Sequence, residues 1–387
     1  MQVLDYLGNV VFFACACAAT IGIVRFLIVA GARPNFMKVA PILNAFERIG
    51  RGSDVLLVHT GQHYDHKMSG SFFRDLGIRE PDINLGIGSG THSQQTGRTM
   101  IAFEEVCLKE KPEWVLVVGD VNSTLACTLA AKKLGIQVAH VEAGLRSGDM
   151  SMPEEINRLC TDAIADLLFT TDTLAGENLR REGVAPERIH FVGNTMIDTL
   201  LRHVAQARSL PLSEGLEEGR YAVVTLHRPA NVDHPGILSD IVGAVTEVSL
   251  RIPVVFPAHP RTLGRLTEFG LRSGLEGQPG IRIVEPLGYL AFLGLMARSR
   301  MILTDSGGIQ EETTVLGIPC ITMRENTERP ITCTIGTNVL VGRSAPAILA
   351  AASRALEFNR TAYAPPEKWD GRAAERIVAI LAGNPLV

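Results

Sequence analysis

Short, uninterrupted apolar runs alternate with longer helix-forming runs from Val24 to the end of the chain, and this pattern constrains the fold more than any other feature. Val115-Leu116-Val117-Val118 is representative, with no polar residue on either face of the strand. A half-exposed strand alternates in polarity. An unbroken apolar strand needs cover on both faces, which a parallel sheet between two layers of helices provides. Strands are expected at Arg25–Ala30, Asp54–Thr60, Glu113–Val118, Gln137–Val141, Leu167–Thr171 and His190–Val192. A second set is expected at Tyr221–Leu226, Pro253–Pro257, Ile281–Val284, Arg300–Thr304 and Pro319–Thr322. Helical segments of about 10–18 residues separate most of them, as parallel crossovers require.

With 387 residues the chain exceeds one typical core. A helical run, Asn194–Arg208, is followed by the polar, Pro- and Gly-containing break Leu210–Gly215, which puts a domain boundary near residues 194–220. The expected architecture is α/β: two doubly wound Rossmann-like domains, residues 24–196 and 197–368, facing a central cleft. Ligands of such sheets bind beyond the carboxyl ends of the strands.

Composition narrows the function. Apolar residues make up 46% and charged residues 20%, as in a soluble globular protein. A net charge of −4 argues against nucleic-acid binding by bulk charge. An anionic ligand must then be held by local Arg, Lys, His and helix ends. The seven cysteines form no CxxC pair and read as reduced thiols of a cytoplasmic protein. No HExxH occurs, and no metal site is expected. Val10–Ile23 is apolar over 14 residues, shorter than a bilayer needs, and no Lys or Arg precedes Arg25. Residues 1–23 are therefore read as an extension dispensable to the fold, with neither membrane attachment nor export expected.

The chemistry-bearing motifs follow the expected strands directly. Thr304-Asp305-Ser306-Gly307-Gly308-Ile309-Gln310-Glu311-Glu312 turns from a strand into a helix. Unpaired N–H groups and the positive end of the dipole make such a helix start a phosphate site, and glycine permits close backbone approach. Glu312, about one turn in, could take two sugar hydroxyls. An ordinary capped turn is the alternative.

Gly31-Ala32-Arg33-Pro34-Asn35-Phe36-Met37-Lys38 brings Arg33 and Lys38 to a second helix start, suited to a diphosphate or simply solvated. Gly119-Asp120, Val141-Glu142-Ala143-Gly144 and Pro153-Glu154 deliver three carboxylates to one sheet edge. Carboxylates sharing a site push some pKa values up, which suits acid–base work. Helix capping by Asp120 and Glu154, and a salt bridge for Glu142, are the structural alternatives. Thr225-Leu226-His227-Arg228 and Ala258-His259-Pro260 add donors on the second sheet. Gly86-Ile87-Gly88-Ser89-Gly90-Thr91 is not a dinucleotide fingerprint, because Thr91 replaces the last glycine and no matching strand–helix context is expected.

In this order the motifs resemble those of the non-hydrolysing UDP-N-acetylglucosamine 2-epimerase family. The likeness also takes in Gly61-Gln62-His63, Pro153-Glu154-Glu155-Ile156-Asn157-Arg158 and Thr327-Glu328-Arg329-Pro330, and covers nearly the whole chain from Val24. The resemblance implies the two-domain GT-B-like fold of a large glycosyltransferase class, with residues 369–387 packing back on the first domain. It implies reversible interconversion of UDP-N-acetylglucosamine and UDP-N-acetylmannosamine by elimination and re-addition of UDP through a 2-acetamidoglucal. No cofactor or metal is implied, and the partners implied are a UDP-sugar and a second copy of the chain, in cell-envelope polysaccharide synthesis. Asp120, Glu142 and Glu154 match the acid–base carboxylates, and Arg33, Lys38 and His227 the active-site cations. Ser306, Gly307 and Gly308 match the phosphate-binding turn, Glu312 the ribose-binding acid, and Arg329 and His259 further nucleotide contacts.

The chain departs from the family pattern at Asn35, at Pro229-Ala230, at Ile331 and in Gln62-His63-Tyr64-Asp65. These changes put substrate activation and the sugar's C4 and C6 groups in question. A hydrolysing epimerase, which tends to carry His-Gly-Gly-Glu in place of Val141-Glu142-Ala143-Gly144, is one other reading. A related glycosyltransferase and a non-catalytic nucleotide-sugar sensor are two more, although a sensor would be expected to lack one of the three carboxylates.

Overall fold

The computed structural model describes residues 25–61, 76–359 and 363–383; of Arg33 it describes the backbone alone. The extension 1–23 and the Gln62-His63-Tyr64-Asp65 run lie outside the described residues. The chain forms two parallel sheets flanked by helices. The first has the order β3-β2-β1-β4-β5-β6-β7. Its strands are β1 Phe26–Ala30, β2 Val55–His59, β3 Ile83–Asn84, β4 Trp114–Val118, β5 Gln137–Ala143, β6 Leu167–Thr170 and β7 Ile189–Phe191. The second has the order β10-β9-β8-β11-β12-β13. It is built from β8 Ala222–Thr225, β9 Val254–Pro257, β10 Ile281–Val284, β11 Met301–Thr304, β12 Cys320–Thr322 and β13 Asn338–Leu340.

Every strand expected from an apolar run is present, within a residue or two of its expected ends. The unanticipated strands, β3 and β13, are short edge strands. In each sheet the order reverses once, between β1 and β4 and between β8 and β11. These switch points open a crevice at the carboxyl ends of the flanking strands.

The flanking helices include α1 Arg33–Arg48, α2 His92–Glu110, α3 Asn122–Lys133 and α4 Pro153–Ile164. After them come α5 Thr173–Arg181, α6 Thr195–Ser209, α7 Pro235–Ser249, α8 Pro260–Glu268 and α9 Tyr289–Ala297, then α10 Gly307–Leu316, α11 Ala345–Glu357 and α12 Ala373–Leu381. Their apolar faces cover both sides of each sheet, burying Leu27, Ile28, Val115 and Leu116 completely. Asn35 explains one departure from the family pattern. Its Oδ1 accepts from Ala32 N at 2.8 Å and its Nδ2 donates to Val118 O at 3.2 Å, which ties the start of α1 to the end of β4. The Gly86–Thr91 run does stand between a strand and a helix, contrary to expectation. That strand is the edge strand β3, however, and Thr91 caps α2 by accepting from Gln94 N at 3.3 Å. No helix among the described residues is long and apolar enough to cross a membrane.

The sheets are joined by α6, which packs on α1 from the first and on α9 and α10 from the second. Thr199 Oγ1 donates to Met37 O at 2.6 Å across that seam. The chain then returns. Trp369 is buried beside Ile197 and Ile331, and its Nε1 donates to Thr171 O at 2.9 Å. The Ala373 and Ala374 N–H groups that open α12 donate to the Asp198 carboxylate on α6, at 3.1 and 2.7 Å. Removing a buried indole leaves a cavity and an unpaired carbonyl. Trp369→Ala is expected to cost about 3–5 kcal/mol in denaturant unfolding. A loss below about 1 kcal/mol would contradict this role.

Candidate active site

Lys38 and Asp120 from the first sheet, and His227 and Ser306 from the second, sit on the segments that leave the strands at the two switch points. Glu142 is the centre of the cluster. It lies in β5, where pairing with β6 shifts register between Val141 and Ala143. Its φ of 72° is left-handed, which is rare and strained for a residue with a β-carbon. The shift turns its carboxylate, 6% exposed, toward α1 and the second sheet. Lys38 Nζ from α1 binds Oε2, and Arg329 Nη2 from the second sheet binds Oε1 at 2.8 Å. Burial raises the carboxyl's pKa, but Lys38 and then Arg329 more than offset this, so it stays below the ordinary value. The salt-bridge alternative for Glu142 is therefore realised, and realised between the two halves of the molecule.

Arg329 also pairs with Glu311 Oε1 at 3.0 Å and with Glu328. Glu311 Oε1 in turn accepts from Asn194 Nδ2 at 2.8 Å. Gly307, the first residue of α10, lies against this guanidinium. A β-carbon there would stand 2.6 Å from Arg329 Nη1 and 2.8 Å from Glu328 Oε1, so any larger residue would have to displace the ion-paired ends of these two side chains. On Gly308 it would stand 3.2 Å from Met196 Cε. No side chain caps the first turn of α10, although Ser306 occupies the cap position. Its leading N–H groups thus point into the cleft beside Arg329, an arrangement that suits a phosphate.

One turn further, Glu312 is buried and its Oε1 has no hydrogen-bond partner. The buried Tyr289 hydroxyl likewise has none, and Glu312 acts on it electrostatically. Burial, and then Glu311, raise the Glu312 pKa from 4.5 to about 8. Two unsatisfied buried polar groups so close together suit the hydroxyls of a ligand.

Asp120 and Glu154 line the first-sheet side. Asp120 does not cap α3; its carboxylate pairs with Arg158, and its carbonyl accepts from Asn157 Nδ2 at 2.9 Å. It is close enough to act on Arg329. Glu154 is half-buried in the first turn of α4, and its charge acts on Arg228 across the cleft. On the second sheet, His227 Nδ1 stands 2.9 Å from Asp305 Oδ1. His259 is exposed near His227, and its Nδ1 accepts from Arg261 N at 3.2 Å. The Arg33 backbone opens α1.

Sequence reasoning missed the residues that hold these groups. Asp305, fully buried, accepts from the His227 and Arg228 amides at 3.1 and 2.9 Å and from Asn231 Nδ2 at 3.2 Å. Glu311, the neighbour of the expected Glu312, carries the Arg329 contact. Arg158 holds Asp120. A charged residue directly after an apolar strand was the available signal for Asp305.

A family model described as UDP-N-acetylglucosamine 2-epimerase matches residues 48–382. A Methanococcus maripaludis protein named UDP-N-acetylglucosamine 2-epimerase is 43% identical over 364 residues, covering 92% of this chain and 98% of its own. A Pseudomonas aeruginosa protein named UDP-2,3-diacetamido-2,3-dideoxy-D-glucuronate 2-epimerase is also 43% identical, over 92% of this chain and 99% of its own. The crystal structure of the Methanocaldococcus jannaschii UDP-GlcNAc 2-epimerase, in complex with UDP-GlcNAc and UDP, superposes with a TM-score of 0.84 at 44% identity. It covers 93% of this chain and all of the other.

The Glu312 environment makes a pH-dependent prediction. A carboxyl whose pKa rises on folding favours the folded state below its unfolded value, and that contribution is lost as pH rises toward the folded value. Here the window runs from 4.5 to about 8. Glu312→Gln stays neutral, so its ligand-free melting temperature should match wild type at the acid end and exceed it increasingly across the window. Glu311, raised to about 7, titrates in both proteins. Thermal unfolding across that pH range checks this, and a difference independent of pH would contradict it.

Proposed function

Since the chain belongs to the UDP-N-acetylglucosamine 2-epimerase family, we propose that it inverts C2 of a UDP-linked 2-acetamido sugar by eliminating and re-adding UDP. The observation that carries the reading is Glu142, an ionised carboxylate held on a strained bulge beside Arg329 and the uncapped start of α10.

In this reading the diphosphate binds at Ser306, Gly307 and Gly308 with Arg329, while Glu312 takes the ribose hydroxyls. Arg33, Lys38, His227 and His259 supply further donors around the phosphates and the sugar. Breaking the C1–O bond places negative charge on the departing UDP, which helix N–H groups and cations stabilise. The C2 proton leaves to one carboxylate as that bond weakens, giving a 2-acetamidoglucal. UDP then adds back to C1 while a carboxylate on the opposite face returns a proton to C2. Glu142, Asp120 and Glu154 are the groups placed for these two proton transfers, each worth roughly 10²–10⁴-fold. A diphosphate at Arg329 also competes with Glu142 for the guanidinium, which frees an Oε1 lone pair when substrate is present. A closed cleft keeps water from the intermediate.

Relatives of equal identity carry two different sugar names. The assay therefore offers both UDP-N-acetylglucosamine and the diacetamido uronate in D₂O, followed by NMR. Deuterium should enter C2 of both epimers of the true substrate. Stoichiometric release of a free 2-epimeric sugar would instead identify a hydrolase. Glu142→Gln and Asp120→Asn should each lower kcat by about 10²-fold or more with folding intact. Glu312→Ala should weaken UDP binding more than it slows saturated turnover. A near wild-type kcat for Glu142→Gln would sink the assignment.

A further inference from the structure

Glu142 can hold a left-handed backbone only if its surroundings compel it, and one side chain grips the chain on both sides of it. Asp162, on α4, is 1% exposed. Its Oδ1 stands 2.6 Å from Nδ1 of His140, two residues before Glu142. Its Oδ2 accepts from the N–H of Gly144, two residues after, at 3.0 Å. The same oxygen accepts from Arg146 Nη1 at 2.7 Å, which fixes the carboxylate's orientation. His140 is fully buried, and its Nε2 donates to Gly119 O at 2.8 Å, the carbonyl just before Asp120. Gly144 could not be replaced to relax the bulge: its φ is 80°, and a β-carbon would sit 2.3 Å from Ala175 O.

We infer that Asp162 and His140 are positioning residues for the epimerisation, a staple that holds the Glu142 bulge in its reactive orientation. The inference rests on the reading of Glu142 given above. The geometry is specific to this purpose. An ordinary buried carboxylate would be satisfied by a helix cap or by one cation. This one divides its two oxygens between the flanks of a single strained residue, so that neither flank can relax without breaking a buried hydrogen bond. Reacting groups lose rate steeply when displaced by about 1 Å, and a carboxylate aimed by a backbone bulge is displaced whenever the bulge relaxes. The UDP-binding groups of this reading lie mainly on the second sheet, so displacing Glu142 should change affinity far less than rate.

The test is a double-mutant cycle in the full-length protein: wild type, Asp162→Asn, Glu142→Gln and the double variant. Each is measured for kcat, for C2 deuterium exchange and for UDP binding by calorimetry. Asp162→Asn should lower kcat by about 10-fold or more while UDP still binds one site per chain with Kd within about twofold. In the Glu142→Gln background the same substitution should change the residual rate by less than about twofold, because the group it aims is already gone. Equal loss in both backgrounds would overturn the inference, as would an undiminished kcat or a loss of UDP-binding sites. If Asp162→Asn does not fold, His140→Gln takes its place in the cycle with the same expected and overturning results, since it removes one arm of the staple. Wild-type turnover by Glu142→Gln alone would overturn the reading of Glu142 and this inference with it. An inactive Glu142→Gln combined with an additive Asp162→Asn overturns the inference alone.

Discussion

The Arg329 guanidinium is where the two halves of the molecule meet. It pairs with Glu142 from the first sheet and with Glu311 and Glu328 from the second, and all four side chains are buried. Lys38 shares Glu142, and Arg324 shares Glu328 at 2.8 Å. Removing so many charges from water is expensive, and replacing a buried ion network with apolar groups is often neutral or stabilising. The cluster is therefore poor as a stability device. It makes better sense as a device of arrangement: the Arg329–Glu142 pair, which links the two clusters of charge, forms only when the two sheets face each other across the cleft. An anionic ligand arriving at Arg329 enters a network whose charges are already ordered, so little reorganisation remains for the reaction itself.

The positions of the reactive groups follow from topology. The crevices at the two switch points lie over the ends of β1 and β4 and of β8 and β11, and Lys38, Asp120, His227 and Ser306 all lie on segments leaving those strands. Glu142 on β5 lies one strand away from the switch, as do His259 after β9 and Arg329 after β12 on the second sheet. A bulge brings Glu142 back toward the centre, and a left-handed backbone is the cost. Its neighbours on α4 do the holding: Asn157 and Arg158 grip Asp120, and Asp162 grips the bulge.

Much of this was legible from residue types alone. Central strands such as β1 and β4 were readable because burial on both faces leaves only apolar residues in them. The edge strands β3 and β13 escaped because two or three residues carry no periodic signal. Candidate carboxylates and cations were readable from their places after apolar runs. Their support was not. Nothing in Val141-Glu142-Ala143 marks a register shift, and the strand was expected to end at Val141 rather than Ala143. Asp162 and Arg158 look like ordinary helix-surface charges until α4 is packed against the sheet. The orphaned oxygen of Glu312 is likewise a property of three-dimensional burial, invisible in the string Gln310-Glu311-Glu312.

The returning chain has a mechanical consequence. A body tethered to another at one point can swing and twist about three axes. Here the polypeptide passes between the halves twice, outward through α6 and back ahead of Trp369, and the two passages are clamped together by Asp198 and the start of α12. Two anchored passages suppress torsion and leave one easy rotation, about the line that joins them. The clamp at Asp198 thus holds the two passages side by side, so that the Arg329–Glu142 pair joins halves already restrained in twist.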